Sequence, residues 1–335
     1  MERKQREIIS NLAGVSAIGA GAFLAMGWPF FRFCTYAGKK KSKNRKTYGK
    51  KWFQLRHTVV NHPSYRFSKE YEETRKWCEA QPMQDWTIRS VDGLKLHASF
   101  LPAQNAERFV ILCHGYRGNR FGSMAAKAKF LWEHHCSILL IDQRCCGESE
   151  GDYITYGAKE QIDILEWIGR LQEENTEKLP IYLYGQSMGG AAVLLAAGHA
   201  LPKEVKGLIV DSAFHSMKQQ LRDIASGWFH LRWIELLLLR VDLFCRIFAG
   251  FSMKETDTTM ALKKNKLPVL FFHGKDDTYV WPKSSLQNFE LCEAQKELVI
   301  IPGARHLCCA YADPELYEEK MMEFFQNTEK GKKAN

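Results

Sequence analysis

The sequence predicts an α/β fold: a mostly parallel, doubly wound sheet with helices on both faces, preceded by one apolar N-terminal segment. Three observations carry this. Between residues 85 and 327, short apolar runs alternate with helical stretches, the order that builds parallel strands joined by crossover helices. Runs such as RFVILC (108–113) and CSILLID (136–142) are apolar without alternation, as strands covered on both faces are. A third run, IYLY, leads straight into Gly185-Gln186-Ser187-Met188-Gly189-Gly190 and a small-residue helix.

Taken in order, residues 12–31 contain no charge. About 20 helical residues cross a hydrocarbon core of about 30 Å. Trp28, Phe30, Phe31, Phe33 and Tyr36 gather at one end, as an interfacial aromatic belt does. Pro29 is expected to break or kink the helix there. Residues 1–38 therefore read as a membrane anchor. A cleaved signal peptide and a buried core helix are the alternatives: the first needs a shorter apolar region and a small-x-small site, which Thr35-Tyr36-Ala37 matches poorly, and the second is not expected to be followed at once by a lysine run. Residues 39–84 read as a basic linker and helical connector. Residues 39–51 hold eight Lys or Arg and no acid, against a formal net charge of +9 for the whole chain. The basic character thus belongs to this segment, and no nucleic-acid-binding face is expected. The positive-inside rule places the richer side of the span, and with it the folded domain, in the cytoplasm, with the basic linker against anionic lipid. The exported side is the alternative.

From residue 85, DWTIRS and LKLHASFLPA form a hairpin about Asp92-Gly93. Strands follow at 108–115, 136–142, 181–185, 205–212, 267–274 and 296–303. Helices are expected at 122–135, 157–172, 188–200, 282–295 and 314–326. In the helix at 157–172, Ile162, Leu165, Ile168, Gly169 and Leu171 fall near one face. Residues 213–266 interrupt the rhythm with WFHLRWIELLLLRVDLFCRIFAGF and read as an inserted helical lid. Residues 328–335 are a polar tail. The ten cysteines show no C-x-x-C spacing, so no zinc site or disulfide framework is expected and free thiols are. Cys145-Cys146 and Cys308-Cys309 are vicinal pairs near the candidate site.

The chemistry centres on Ser187. A serine lifted off a sheet on a tight strand-to-helix turn exposes its hydroxyl, and the helix N-terminus beneath it favours developing negative charge. A serine is a weak nucleophile at neutral pH, so it needs a base, and the base needs an orienting acid. Asp276 and Asp277 follow the strand LPVLFFHG, and His306 follows the next strand, KELVIIPG. The oxyanion of a tetrahedral intermediate needs donors. The candidates are the backbone N–H groups of Met188 and of Tyr116, in the loop after the first core strand. His114 is read as shaping that loop.

Together the elbow, GESEGDYITYG, HGKDD and IPGARH resemble membrane-associated or exported bacterial α/β hydrolases of the serine-aminopeptidase and monoacylglycerol-lipase-like type, over residues 85–327. The resemblance implies the α/β-hydrolase fold. Aligning His273, Gly274, Asp277 and Val280 with the family pattern H-G-x-x-D-x-x-V selects Asp277 over Asp276, with Asp211 as an outside candidate. Asp142 to Ser149 resembles the family's D-x-R-G-x-G-x-S turn, with cysteine in place of the first glycine, and is read as scaffold. The implied activity is hydrolysis of esters or, less often, of N-terminal peptide bonds. Three readings stay open. The first is a carboxylic-ester hydrolase acting on acyl glycerides, lipids or small aromatic esters, with Trp228, Phe229 and Trp233 of the lid as substrate contacts. The second is an aminopeptidase using Glu235, Asp242 or Asp223 to hold an amino terminus. The third is a non-catalytic scaffold tethered at a membrane. Expected partners are a small ester or short peptide and membrane lipid. No metal or cofactor is expected, because no phosphate loop or ligand cluster is present.

Overall fold

The computed structural model describes residues 27–38, 63–122, 124–230 and 234–329. In chain order the main elements are helices α1 (Gly27–Thr35) and α2 (Ser68–Glu79), strands β1 (Gln84–Arg89), β2 (Lys95–Leu101) and β3 (Arg108–Cys113), and α3 (Ala125–Glu133). Then come β4 (Cys136–Asp142), α4 (Glu160–Glu174), β5 (Ile181–Gln186), α5 (Met188–Ala196) and β6 (Val205–Asp211). They are followed by α6 (Met217–Phe229), α7 (Glu235–Phe244), β7 (Val269–Gly274), α8 (Lys283–Leu291), β8 (Lys296–Ile301) and α9 (Pro314–Glu329). The strands form one sheet in the order β1-β2-β4-β3-β5-β6-β7-β8. β2 is antiparallel to both its neighbours, and every pairing from β4 to β8 is parallel.

The two-residue period of the strands splits the core into two layers. Phe109, Ile111 and Cys113 of β3 face α4 and α5, while Val110 and Leu112 face α3 and α9. Because both faces are covered, every residue of β3, β4, β5 and β7 is buried. This is why those strands read as continuous apolar runs.

Helix α4 corrects the expected face. Ile164, Trp167, Ile168 and Leu171 are buried, whereas Ile162 and Leu165 are half-buried and Gly169 is exposed. The turn of the helix that enters the core also carries a charge, Asp163, whose carboxylate accepts from Nε and Nη2 of buried Arg144 at 2.7 Å. A buried carboxylate is tolerated only with such a partner, and nothing local in the sequence announces it.

A third apolar cluster lies over the C-terminal ends of the strands. It joins Met188 and Ala191 of α5 to Ile234, Leu238 and Val241 of the inserted segment, and to Phe31 and Cys34 of α1. The expected N-terminal anchor is only partly testable: residues 1–26 lie outside the described residues. Of the rest, Trp28 packs on Phe244 and Phe248 at ring separations of 5.5 and 4.8 Å, and Phe31 is fully buried. Pro29 lies within α1 and does not end it. Burial of Phe31 and Cys34 outweighs the local signal, as tertiary packing commonly does for short helices. After α1, Ala37 N–H donates to Asp152 O and Ile154 N–H donates to Thr35 O, both at 2.8 Å. Residues 27–38 are therefore part of the folded unit. Among the described residues no helix is long and apolar enough to cross a membrane. The basic run 39–51 lies outside them. At the other end, α9 runs on to Glu329, which pairs with Arg108 at 2.9 Å, so the tail begins later than residue 328.

Candidate active site

Ser187 sits between β5 and α5 with φ 54° and ψ −116°, a conformation that costs a non-glycine residue about 1–3 kcal/mol. The surroundings enforce it. A Cβ at Gly189 would collide with the Cys113 carbonyl, and one at Gly190 would come within 2.9 Å of Ala213 Cβ. Only glycines let α5 start this close to β3 and β6. The Ser187 N–H donates to Asp211 O at 2.8 Å, which pins the turn.

The structure brings three of the expected residues together. Ser187 Oγ lies 3.1 Å from His306 Nε2, and His306 Nδ1 lies 2.6 Å from Asp277 Oδ2. All three are buried, each 3% exposed. Asp277 Oδ1 accepts from the N–H groups of Tyr279 and Val280 at 2.8 and 2.9 Å. Burial pushes the Asp277 carboxyl upward, but the field of His306 and hydrogen bonds from His273 and His306 outweigh it and hold the group well below the usual carboxylate range. An ionised Asp277 can only accept, so His306 carries its proton on Nδ1 and turns the Nε2 lone pair to the serine. Asp276 is exposed. Asp211 is buried and committed elsewhere, with Oδ2 accepting from Tyr184, Tyr317 and Gln186 at 3.2–3.3 Å.

The loop after β3 passes over the serine: a Cβ at Gly115 would lie 3.3 Å from Ser187 Cβ. His114 shapes this loop, as expected. Its Nε2 accepts from Gln143 N–H at 3.1 Å, so Nδ1 donates to Gly115 O at 2.7 Å. The next two residues bind α1. Tyr116 OH donates to Cys34 O at 2.8 Å, and Arg117 Nη2 donates to Phe33 O and Tyr36 O at 3.0 and 2.9 Å. Arg117 Nε also donates to Tyr116 OH at 2.7 Å. Residue patterns could not show this clamp, because its acceptors are backbone carbonyls more than 80 residues away.

The turn from Asp142 to Ser149 is scaffold. Asp142 pairs with Arg120 and accepts from the N–H groups of Arg120 and Glu148 at 2.8 and 2.9 Å. A Cβ at Gly147 would fall inside that carboxylate. Cys145 holds a left-handed φ of 64°, and its Sγ donates to Tyr153 O at 3.0 Å. All ten cysteines are buried and free of disulfides. Burial pushes the Cys308 thiol up to about 12, so it is not a thiolate at neutral pH. Among the described residues no cluster of three or more His, Cys, Asp or Glu is arranged to hold a metal ion.

Of the expected lid contacts, Trp228 packs on Tyr279 at 5.5 Å and donates to Thr278 O at 3.1 Å. Tyr279 in turn meets the His306 ring edge-on at 4.9 Å. Tyr279 is a site residue that the sequence reading missed, although it stands two positions after Asp277. Phe229 is 62% exposed at the end of α6 and does not join this stack. Trp233 lies outside the described residues. The acids considered for an amino terminus already have partners. Glu235 pairs with Arg222 and Lys218, Asp242 with Arg246, and Asp223 with Lys283.

Comparison with known proteins agrees with this architecture. The model of the family described as serine aminopeptidase, S33, matches residues 104–243. An uncharacterized protein of Bacillus subtilis, YqkD, is 25% identical over 93% of this chain and 96% of its own. Among solved structures, the Pyrococcus furiosus esterase Pf2001 superposes with a TM-score of 0.60 at 23% identity, covering 74% of this chain and 92% of its own. Est1E from Butyrivibrio proteoclasticus, solved with ferulic acid bound, gives 0.55 at 21% identity over 72% and 98%. Sheet order, the turn between β5 and α5, and these likenesses together make the chain an α/β-hydrolase-fold protein.

Proposed function

We propose that the protein is a serine hydrolase that cleaves carboxylic esters through an acyl-enzyme on Ser187. The observation that carries this reading is the unbroken hydrogen-bonded chain from Ser187 Oγ through His306 to ionised Asp277. His306 takes the hydroxyl proton as Ser187 Oγ attacks the ester carbonyl, and then returns it to the departing alkoxide. Water repeats the sequence to release the acid. The N–H groups of Met188 and Tyr116 receive the oxyanion. The ester reading is favoured over the aminopeptidase one because Glu235, Asp242 and Asp223 are already paired with cations. A substrate ammonium would compete with those cations at Glu235 and Asp242, and at Asp223 only the buried Oδ2 is left without a hydrogen-bond partner among the described residues. Labelling with a fluorophosphonate, then assay against p-nitrophenyl esters and aminoacyl amides, tests the proposal. Amide turnover exceeding ester turnover would reverse the preference.

Two positioning effects follow. Arg117→Ala frees the loop that carries the Tyr116 N–H. It is expected to lower kcat about tenfold or more with KM nearly unchanged, since an oxyanion donor acts on the intermediate more than on bound ester. A change confined to KM would contradict this. Trp228→Ala removes the ring that backs Tyr279. It is expected to shift the preferred acyl length across an ester series by several-fold, in the range a methylene contact controls. Fluorophosphonate reactivity should survive, and an unchanged length profile would reduce Trp228 to packing.

A further inference from the structure

The described residues hold twelve exposed large apolar side chains, and nine of them lie on α1 or the inserted helices. Leu236, Leu239, Leu243 and Ile247 recur at helical spacing along α7 and the turn after it, and are 59, 62, 40 and 61% exposed. Phe248 and, on α1, Phe30 are 46 and 44% exposed. The two helices pack together, with Trp28 against Phe244 and Phe248. Both turn their buried faces to the same cluster over the nucleophile, so their bare faces point outward on one side. A patch of this kind on one side of a domain marks an interaction surface.

We propose that this face rests on an anionic lipid bilayer, with Leu236, Leu239, Leu243 and Ile247 in the headgroup–acyl boundary. Charge and chain placement select lipid over a protein partner. Exposed Arg32 on α1 flanks the patch, as does Arg246 beside Ile247, which also pairs with Asp242. The eight-cation run 39–51, without an acid, begins directly after α1 and its short extension. The uncharged residues 12–26 run directly into α1 from the other side. Apolar side chains rimmed by cations next to an apolar segment are the pattern of an interfacial surface on anionic membranes. The face lies at the carboxyl ends of the strands, so the lid over Ser187 is the part of the domain turned to the bilayer.

The test uses the full chain with Leu239→Cys labelled by an environment-sensitive fluorophore; the native cysteines are all buried. The control is Glu177→Cys, an exposed position in the loop before β5, at the opposite ends of the strands. Each protein is reconstituted with phosphatidylcholine vesicles, with and without phosphatidylglycerol. The probe at 239 is expected to shift to the blue and brighten several-fold with phosphatidylglycerol vesicles and less with phosphatidylcholine alone. The probe at 177 should stay unchanged. No shift at 239, or no binding to vesicles, would overturn the proposal. So would a shift that follows protein concentration and not lipid, which would assign the face to a second copy. The readout involves no turnover, so it stands apart from the assignment of Ser187.

Discussion

Replacing Ser187 by Ala is expected to abolish fluorophosphonate labelling and to lower ester turnover on the order of 10⁴-fold or more, as loss of a triad nucleophile does elsewhere. At about 1.4 kcal/mol per tenfold, that is at least about 5 kcal/mol of transition-state stabilisation. The fold should survive. Among the described residues the hydroxyl makes one hydrogen bond, to His306, whose net contribution to stability is about 1 kcal/mol. The glycines that force the turn are untouched. Thermal unfolding close to the parent, together with lost labelling, separates chemistry from folding. Ser212 provides a contrast, since it also follows a strand at a left-handed φ of 55°. Its hydroxyl, however, donates to Asp211 at 2.8 Å and serves no histidine. Labelling retained in Ser187→Ala, at Ser212 or any other serine, would sink the assignment.

What could be read in the sequence, and what could not, divides on physical grounds. β3, β4, β5 and β7 were legible because burial on both faces leaves no polar alternation. The turn at Ser187 was legible because close contacts at Gly189 and Gly190 exclude side chains. His306 and the pair Asp276-Asp277 were legible because each follows a strand at the carboxyl end of the sheet, where sites form, and the resemblance to the pattern H-G-x-x-D-x-x-V separated Asp277 from Asp276. The misses depend on contacts remote in sequence. Asp163 is buried on α4 because Arg144 is there to meet it. Nothing in the spacing of α4 carries that information, so the periodic reading chose Ile162 and Leu165 instead. Residues 27–35 have a composition suited to a membrane boundary, and only the presence of Phe244 and Phe248 turns Trp28 and Phe31 inward. Tyr279 and Arg117 act through a ring edge and through backbone carbonyls, and neither kind of partner leaves a residue pattern.

Asp277→Asn should cost about 10⁴ in kcat, close to what removing the orienting acid costs in other triads, while Asp276→Asn should cost little. The reason lies in the two oxygens of Asp277. Oδ1 accepts two backbone N–H groups and Oδ2 accepts from His306 Nδ1. An asparagine must keep its oxygen on the two N–H groups, because an amide NH₂ there would face two donors. Its NH₂ then points at His306 and donates to Nδ1. That places the imidazole proton on Nε2, aimed at Ser187, and removes the base. Asp276 is exposed, and its only described tie, from its backbone N–H to Ala304 O at 3.0 Å, is indifferent to the substitution. The same geometry fixes a pH signature. A carboxyl whose folded pKa is depressed stabilises the fold above its ordinary titration range near pH 4 and loses that contribution as pH falls toward the folded value. The parent's thermal midpoint should therefore drop more steeply below about pH 4 than that of Asp277→Asn, which has no proton to bind. Asp211 cannot take over as the acid, since Tyr184, Tyr317 and Gln186 already occupy it. Near-parental turnover in Asp277→Asn would thus leave His306 without an orienting partner and refute the assignment of the acid.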